Sequence, residues 1–113
     1  MKSVLITGGS GKVGLQLVKH FLKNNFLVVT TTRNLRKFKK NNFSKLSNNH
    51  ISNLHLIEVD FVKKDAINKI KSYISQRNIA IDNIIHNARN LDFLKIKDDN
   101  SVSKENFEGE IFF

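Results

Sequence analysis

Apolar and polar positions along these 113 residues switch repeatedly between two periods. Lys2 to Thr7 is a β-branched apolar run that stops at two glycines, as suits a strand buried on both faces. From Lys12 the period lengthens: Gly14, Leu17, Val18 and Phe21 recur at i, i+3, i+4 and i+7, which puts one apolar face on a helix ending near Asn24-Asn25. Phe26 to Thr31 and Leu54 to Val59 are again β-rich, and the second of these runs is followed by Asp60. Between them, residues 34–50 are polar and basic with Leu35, Phe38 and Leu46 as sparse anchors, which predicts a short helix plus loop. Asp65 stands at an N-cap position ahead of a stripe formed by Ala66, Ile67, Ile70, Tyr73 and Ile74. Ile81 to Ile85 makes a fourth strand, and a last helix is expected from about Lys104, marked by Phe107 and Ile111.

Strands alternating with helices require right-handed crossovers and hence a parallel sheet with helices on both faces. The expected strand order is 3-2-1-4. No internal repeat competes with this reading. The chain has no proline, five glycines and no Ser/Gly-rich linker, so residues 1–113 read as part of one domain.

Composition then narrows the chemistry. With no cysteine there is no disulfide framework, no thiolate metal site and no cysteine nucleophile. The first apolar run is far shorter than a signal-peptide core, and nothing approaches the roughly 20 apolar residues of a membrane span, so a cytoplasmic setting is expected. Asn42-Phe43-Ser44 matches a glycosylation acceptor, a chance match in that setting. The formal charge of +9 raises the question of nucleic acid, because a basic chain condenses on phosphate whatever its fold. Arg33, Arg36, Lys37, Lys39, Lys40 and Lys45 fall in one short stretch, which reads either as a solvated basic face or as a phosphate-related surface.

The richest segment is Thr7-Gly8-Gly9-Ser10-Gly11-Lys12-Val13-Gly14, at the handover from first strand to first helix. There, a first glycine permits a tight turn, a second admits a pyrophosphate close to backbone, and a third lets helix pack on strand, while free N–H groups at the helix start face the anion. An ordinary glycine-containing turn is the plain alternative. The nucleoside-triphosphate P-loop fails on spacing: Ile6 stands where its first glycine belongs and Val13 where its Ser/Thr belongs. At the end of the second strand, where an acidic residue would bond a ribose 2′-hydroxyl, the sequence reads Thr30-Thr31-Thr32-Arg33-Asn34. Arg33 offers a planar donor fork to a 2′-phosphate with no carboxylate expected nearby, which implies NADP in preference to NAD; Lys12 adds to the same field. Arg33 can also simply begin the basic helix.

With the glycine loop, Arg33, Asp60-Phe61 and Asn87-Ala88 in hand, the chain resembles the short-chain dehydrogenase/reductase family, whose cofactor half is a Rossmann fold. The spacing Thr7-Gly8-x-x-Gly11-x-x-Gly14 is closer to that family's extended and atypical branches than to its classical one. The resemblance implies cofactor contacts at Thr7, Gly8, Ser10, Gly11, Lys12, Val13, Gly14 and Arg33. It also implies a hydrogen bond from the adenine amino group to Asp60, with Phe61 against the ring; a turn or cap role is the alternative for Asp60. Ile84-Ile85-His86-Asn87-Ala88-Arg89 is similar to the Asn-Asn-Ala-Gly segment whose backbone borders the cofactor, with His86 in place of the first asparagine and Arg89 in place of the glycine. A structural role is expected for His86, and a surface position for Arg89 ahead of a contact to an anionic substrate.

The family's chemistry is hydride transfer to or from a carbonyl, with a tyrosine acid and a lysine four residues later. The only tyrosine, Tyr73, is followed at that spacing by Arg77, on the third helix. Tyr73 is therefore expected in a core stripe, and no catalytic residue is assigned. The resemblance implies an N-terminal, cofactor-binding fragment or truncated product of an NADP-linked oxidoreductase, with its carbonyl or alcohol substrate unspecified. A dinucleotide sensor or basic nucleic-acid-associated module is the alternative. An unpartnered fourth strand and an uncapped Ile111-Phe112-Phe113 end would favour self-association.

Overall fold

The computed structural model describes residues 1–88; Arg89 and the helix expected from Lys104 lie outside them. In chain order the elements are β1 (Ser3–Thr7), α1 (Lys12–Lys23), β2 (Leu27–Thr32), α2 (Leu35–Asn42), a 3₁₀ turn (Phe43–Lys45), α3 (Asn48–Ser52), β3 (Leu54–Glu58), α4 (Ala66–Gln76) and β4 (Asn83–His86). The four strands form one sheet in the order β3-β2-β1-β4, and every pairing is parallel. This is the parallel α/β sheet expected from the alternation of periods, in the Rossmann arrangement that the glycine loop and the family resemblance implied.

Side-chain alternation along β1 explains why helices cover both faces. Val4 and Ile6, with Val28 of β2, pack against Val18 and Leu22 of α1. Leu5, between them, points the other way and joins Val29, Ile57 and Val59 against Ala66 and Ile70 of α4. Each fully buried aliphatic side chain contributes about 1.5–3 kcal/mol relative to exposure, so a slip of one residue in β1 would exchange two cores at once.

Asparagine stops two helices. Asn25 has φ 62°, and Phe26 N donates to Phe21 O at 3.0 Å while Asn25 N donates to Leu22 O at 3.1 Å. These paired bonds are a Schellman closure, and the apolar contact that accompanies it is Phe21 edge-on to Phe26 at 4.9 Å. The end of α4 repeats the device with Asn78 at φ 54° and Ile79 N bonded to Ile74 O at 3.1 Å.

Three local expectations need correction. The fourth strand begins at Asn83 rather than Ile81, because Asp82 and Ser3 lock each other first: Ser3 N donates to Asp82 Oδ2 at 2.9 Å, Asp82 N to Ser3 Oγ at 3.0 Å, and the Ser3 hydroxyl to Ala80 O. Asp65 occupies the N-cap position of α4 but makes no capping bond, since its ψ of 0° departs from the extended backbone that aims a cap side chain at the first turn. The caps used are Asn34, accepting from Lys37 N at 2.9 Å, and Ser47, accepting from His50 N at 3.2 Å. Residues 34–50 hold more helix than one short piece, since Phe38 is buried edge-on to Phe43 and so anchors α2 and the 3₁₀ turn together.

Candidate functional site

The carboxyl ends of the parallel strands carry a cleft of about 640 Å³, at the point where the crossover from β1 leads to β2 on one side while the crossover from β3 returns to β4 on the other side of β1. Open α/β sheets bind ligands at this kind of switch point. The loop after β1 forms one wall and is held from both sides. From β2, Thr31 accepts from Gly8 N through its hydroxyl at 2.9 Å and from Gly9 N through its carbonyl at 3.0 Å. From beyond β4, the Asn87 amide donates to Gly8 O at 3.1 Å.

The glycines of this loop have separate causes. Gly8 turns the chain at φ +72°, and a side chain there would also strike the Ala88 backbone. Gly9, which sequence reasoning left without a role, lies against Thr30, whose hydroxyl is itself bonded to Ile6 O at 2.5 Å; a Cβ there would overlap it. Gly14 lets α1 press onto Gly8 O and the Asn87 amide, which would be 2.8 Å from a Cβ. Gly11 differs: its φ of −73° suits any residue, and a Cβ would have only Gly8 O within 4 Å, at 3.8 Å. Neither backbone nor packing demands glycine there, and Gly11 is one of the residues that line the cleft.

Gly8, Ser10, Gly11, Lys12 and Val13 line the loop side of the cleft, Arg33 lines it from the turn after β2, Asp60 and Phe61 from the turn after β3, and Asn87 and Ala88 from the turn after β4. Of the sequence-predicted residues, Thr7 and Gly14 stand behind the wall. The Thr7 hydroxyl accepts from Asn87 N at 2.9 Å and Ala88 N at 3.1 Å, so its proton goes to His86 Nδ1 at 2.8 Å. Thr7 therefore shapes the cleft by fixing the Asn87-Ala88 turn. In that arrangement Nδ1 is the acceptor, and burial of the ring pulls the His86 pKa below the ordinary value. His86 meets Phe61 edge-on at 6.2 Å, so its described contacts are structural.

Sequence reasoning missed Thr31, Thr32, Val59 and Val62 in the lining. A run of three threonines closing an otherwise apolar strand was the available signal for the first two. Among the described residues, Val13 and Val62 are two of the few large apolar ones left exposed, at 63% and 56%, and both are on this cleft. Asp60 combines its two expected roles in one side chain: Oδ1 accepts from Val62 N at 3.0 Å and shapes the turn, while the carboxylate lines the cleft. One expectation fails. A carboxylate does stand near Arg33, because β3 pairs with β2 so that Glu58 lies beside Thr32, and Glu58 Oε1 accepts from Leu35 N at 3.0 Å. The two residues are 25 apart in sequence, and only the register joins them.

Tyr73 packs against the core on the β3 side, hydrogen-bonds His55 Nδ1 at 3.0 Å and carries the Arg77 guanidinium over its ring at 3.6 Å. It does not line the cleft. Among the described residues no group of three His, Cys, Asp or Glu is placed to hold a metal, and no helix is long and apolar enough to cross a membrane.

The short chain dehydrogenase family model matches residues 2–111. The chain belongs to the short-chain dehydrogenase family. Its sheet and helices are the N-terminal Rossmann part of that family's NAD(P)-dependent oxidoreductase fold. ElxO, solved with NADP bound, is 26% identical with a TM-score of 0.65, covering 83% of this chain and 42% of its own. A short chain dehydrogenase from Bacillus anthracis is 28% identical with a TM-score of 0.64 over 77% of this chain and 34% of its own. 4-Hydroxyisoleucine dehydrogenase, solved with NADH, shares the fold at 16% identity and a TM-score of 0.61, over 98% of this chain and 42% of its own. The chain thus spans well under half the length of each of these structures. No curated protein matches it. The family match does not support the nucleic-acid alternative.

Proposed function

We propose that the cleft binds a nicotinamide dinucleotide, NADP in preference to NAD, and that residues 1–113 are the N-terminal cofactor-binding part of a single domain in a cytoplasmic oxidoreductase acting on a carbonyl or alcohol. Gly11 carries this reading: it is glycine where the protein itself has no need of one, at the start of a helix whose first residues, Lys12 and Val13, line the cleft. When bound, the dinucleotide would supply the hydride. The chain's own residues would do the holding. The backbone from Ser10 to Val13 would meet the pyrophosphate, Asp60 would accept from the adenine amino group with Phe61 alongside, and Asn87-Ala88 would border the nicotinamide side.

NADP is preferred because Arg33 and Lys12 are exposed cations on the same cleft. ElxO was solved with NADP and 4-hydroxyisoleucine dehydrogenase with NADH, so the shared fold alone does not choose between them. Fluorescence titration of the 113-residue chain with NADPH and NADH tests the proposal. Saturable binding of both, tighter for NADPH and abolished by Gly11→Val in a chain that keeps its circular dichroism, is the expected result. Absence of binding by a folded chain overturns it.

A further inference from the structure

Arg33 is not the only charge placed on the β2–α2 turn. Glu58, the last residue of β3, sits beside Thr32 in the parallel ladder and reaches across to the first turn of α2, where its Oε1 accepts from Leu35 N at 3.0 Å. Asn34 takes the next available donor, Lys37 N, at 2.9 Å. Two of the helix-start N–H groups, the ones an incoming phosphate would use, are thus already held by the chain's own side chains. A carboxylate is also fixed two residues from Arg33, on the turn where the cleft wall passes from Thr32 to Arg33.

We infer that Glu58 is a discriminating residue for the adenosine end of the cofactor: its hydrogen bond holds the Arg33-Asn34-Leu35 turn in place, and its charge restrains the preference for a 2′-phosphate that Arg33 creates. The inference rests on the proposed dinucleotide reading of the cleft. The physics separates the two parts. The hydrogen bond needs only an acceptor, whereas the repulsion needs a charge, and a dianionic phosphate within a Debye length of a fixed carboxylate feels it while a ribose hydroxyl does not. Glu58 is exposed, so solvent screens the effect to a factor of a few.

The test is titration of the full chain and of Glu58→Gln and Glu58→Ala with NADPH and NADH at low and high salt. Gln keeps the acceptor and removes the charge. Glu58→Gln is expected to bind NADPH about two- to fivefold more tightly and NADH unchanged, with the gain shrinking in high salt. Glu58→Ala, which leaves Leu35 N without its partner, is expected to gain less for NADPH than Gln does and to melt at a lower temperature. An unchanged or lower NADPH-to-NADH preference in Glu58→Gln overturns the inference while leaving the dinucleotide site intact. Failure of the unmodified chain to bind either dinucleotide overturns the proposed function and this inference with it.

Discussion

Gly11 and Gly14 share a loop and a spacing, yet substitution should separate them cleanly. An alanine at Gly14 drives its Cβ into Gly8 O and the Asn87 amide, both part of the frame that holds β1 against α1 and β4, so Gly14→Ala should lose about 1–3 kcal/mol in denaturant unfolding. Gly11→Ala meets only Gly8 O, at an ordinary contact distance of 3.8 Å, and a permissive φ, so its unfolding free energy should stay within about 0.5 kcal/mol of the parent. Its NADPH affinity should nonetheless fall at least tenfold in the fluorescence titration, since the lost volume is the ligand's. Equal binding by both chains would show that Gly11 faces no ligand. At Arg33 the expected change is electrostatic: Arg33→Asp should cost NADPH about 1.5–3 kcal/mol, one to two decades in affinity, and leave NADH little affected. Equal affinities of the unmodified chain for the two dinucleotides would remove that assignment.

Strand β4 is fastened to β1 by polar groups at both of its ends, and the exit carries a histidine whose pKa is lowered. At the entry, Asp82 and Ser3 exchange backbone and side-chain bonds; at the exit, Thr7, His86 and the N–H groups of Asn87 and Ala88 form one network. His86 can accept the Thr7 proton only while neutral, and burial lowers its pKa from the ordinary 6.5. His55, under Tyr73, is lowered in the same direction, first by burial and then by Arg77. For such groups the unfolded chain takes up protons before the folded one does. Their stabilising contribution is therefore fully present above pH 6.5 and is lost as pH falls from there toward the lowered folded values. Denaturation midpoints should drop between pH 7.5 and pH 5.5. His86→Asn, which keeps an acceptor for Thr7 and does not titrate, should shrink the drop. A drop as large in His86→Asn as in the parent would place the titration elsewhere.

On the scale of the whole molecule, the described residues build the wall of the cleft and leave the tyrosine outside it. Tyr73 is committed to His55 and Arg77 on the β3 side, and no lysine follows it at the spacing used by the family. The 113-residue chain is accordingly expected to bind NADPH without oxidising it in the presence of carbonyl substrates, as absorbance assays would record. Measurable turnover would require a different acid in the cleft. Among the described residues β4 is the last strand on its side of the sheet, with Ile84 and Ile85 only half-buried. An apolar edge of this kind pairs readily with another copy. Concentration-dependent association in sedimentation is expected, and a sharply melting monomer would contradict it.

Periodicity was sufficient for the fold because the two faces of a parallel sheet and one face of each helix must be apolar to be buried at all. The runs at Lys2–Thr7 and Phe26–Thr31, the stripe through Leu17, Val18 and Phe21, and the paired asparagines that end α1 are local statements, readable without knowing what they touch. The glycine loop was legible for the same reason, since its spacing and its place between strand and helix are properties of a continuous stretch. What stayed hidden depends on register. Gly9 against Thr30, Asp82 delaying β4 through Ser3, Thr7 serving the loop beyond β4 rather than the cleft, and Glu58 entering the turn of Arg33 all join residues about 20 to 80 positions apart. Such pairs come together only because β3, β2, β1 and β4 lie side by side in a fixed stagger. A one-dimensional pattern fixes which face a residue takes, but the partner on that face is chosen by how neighbouring strands slide into alignment.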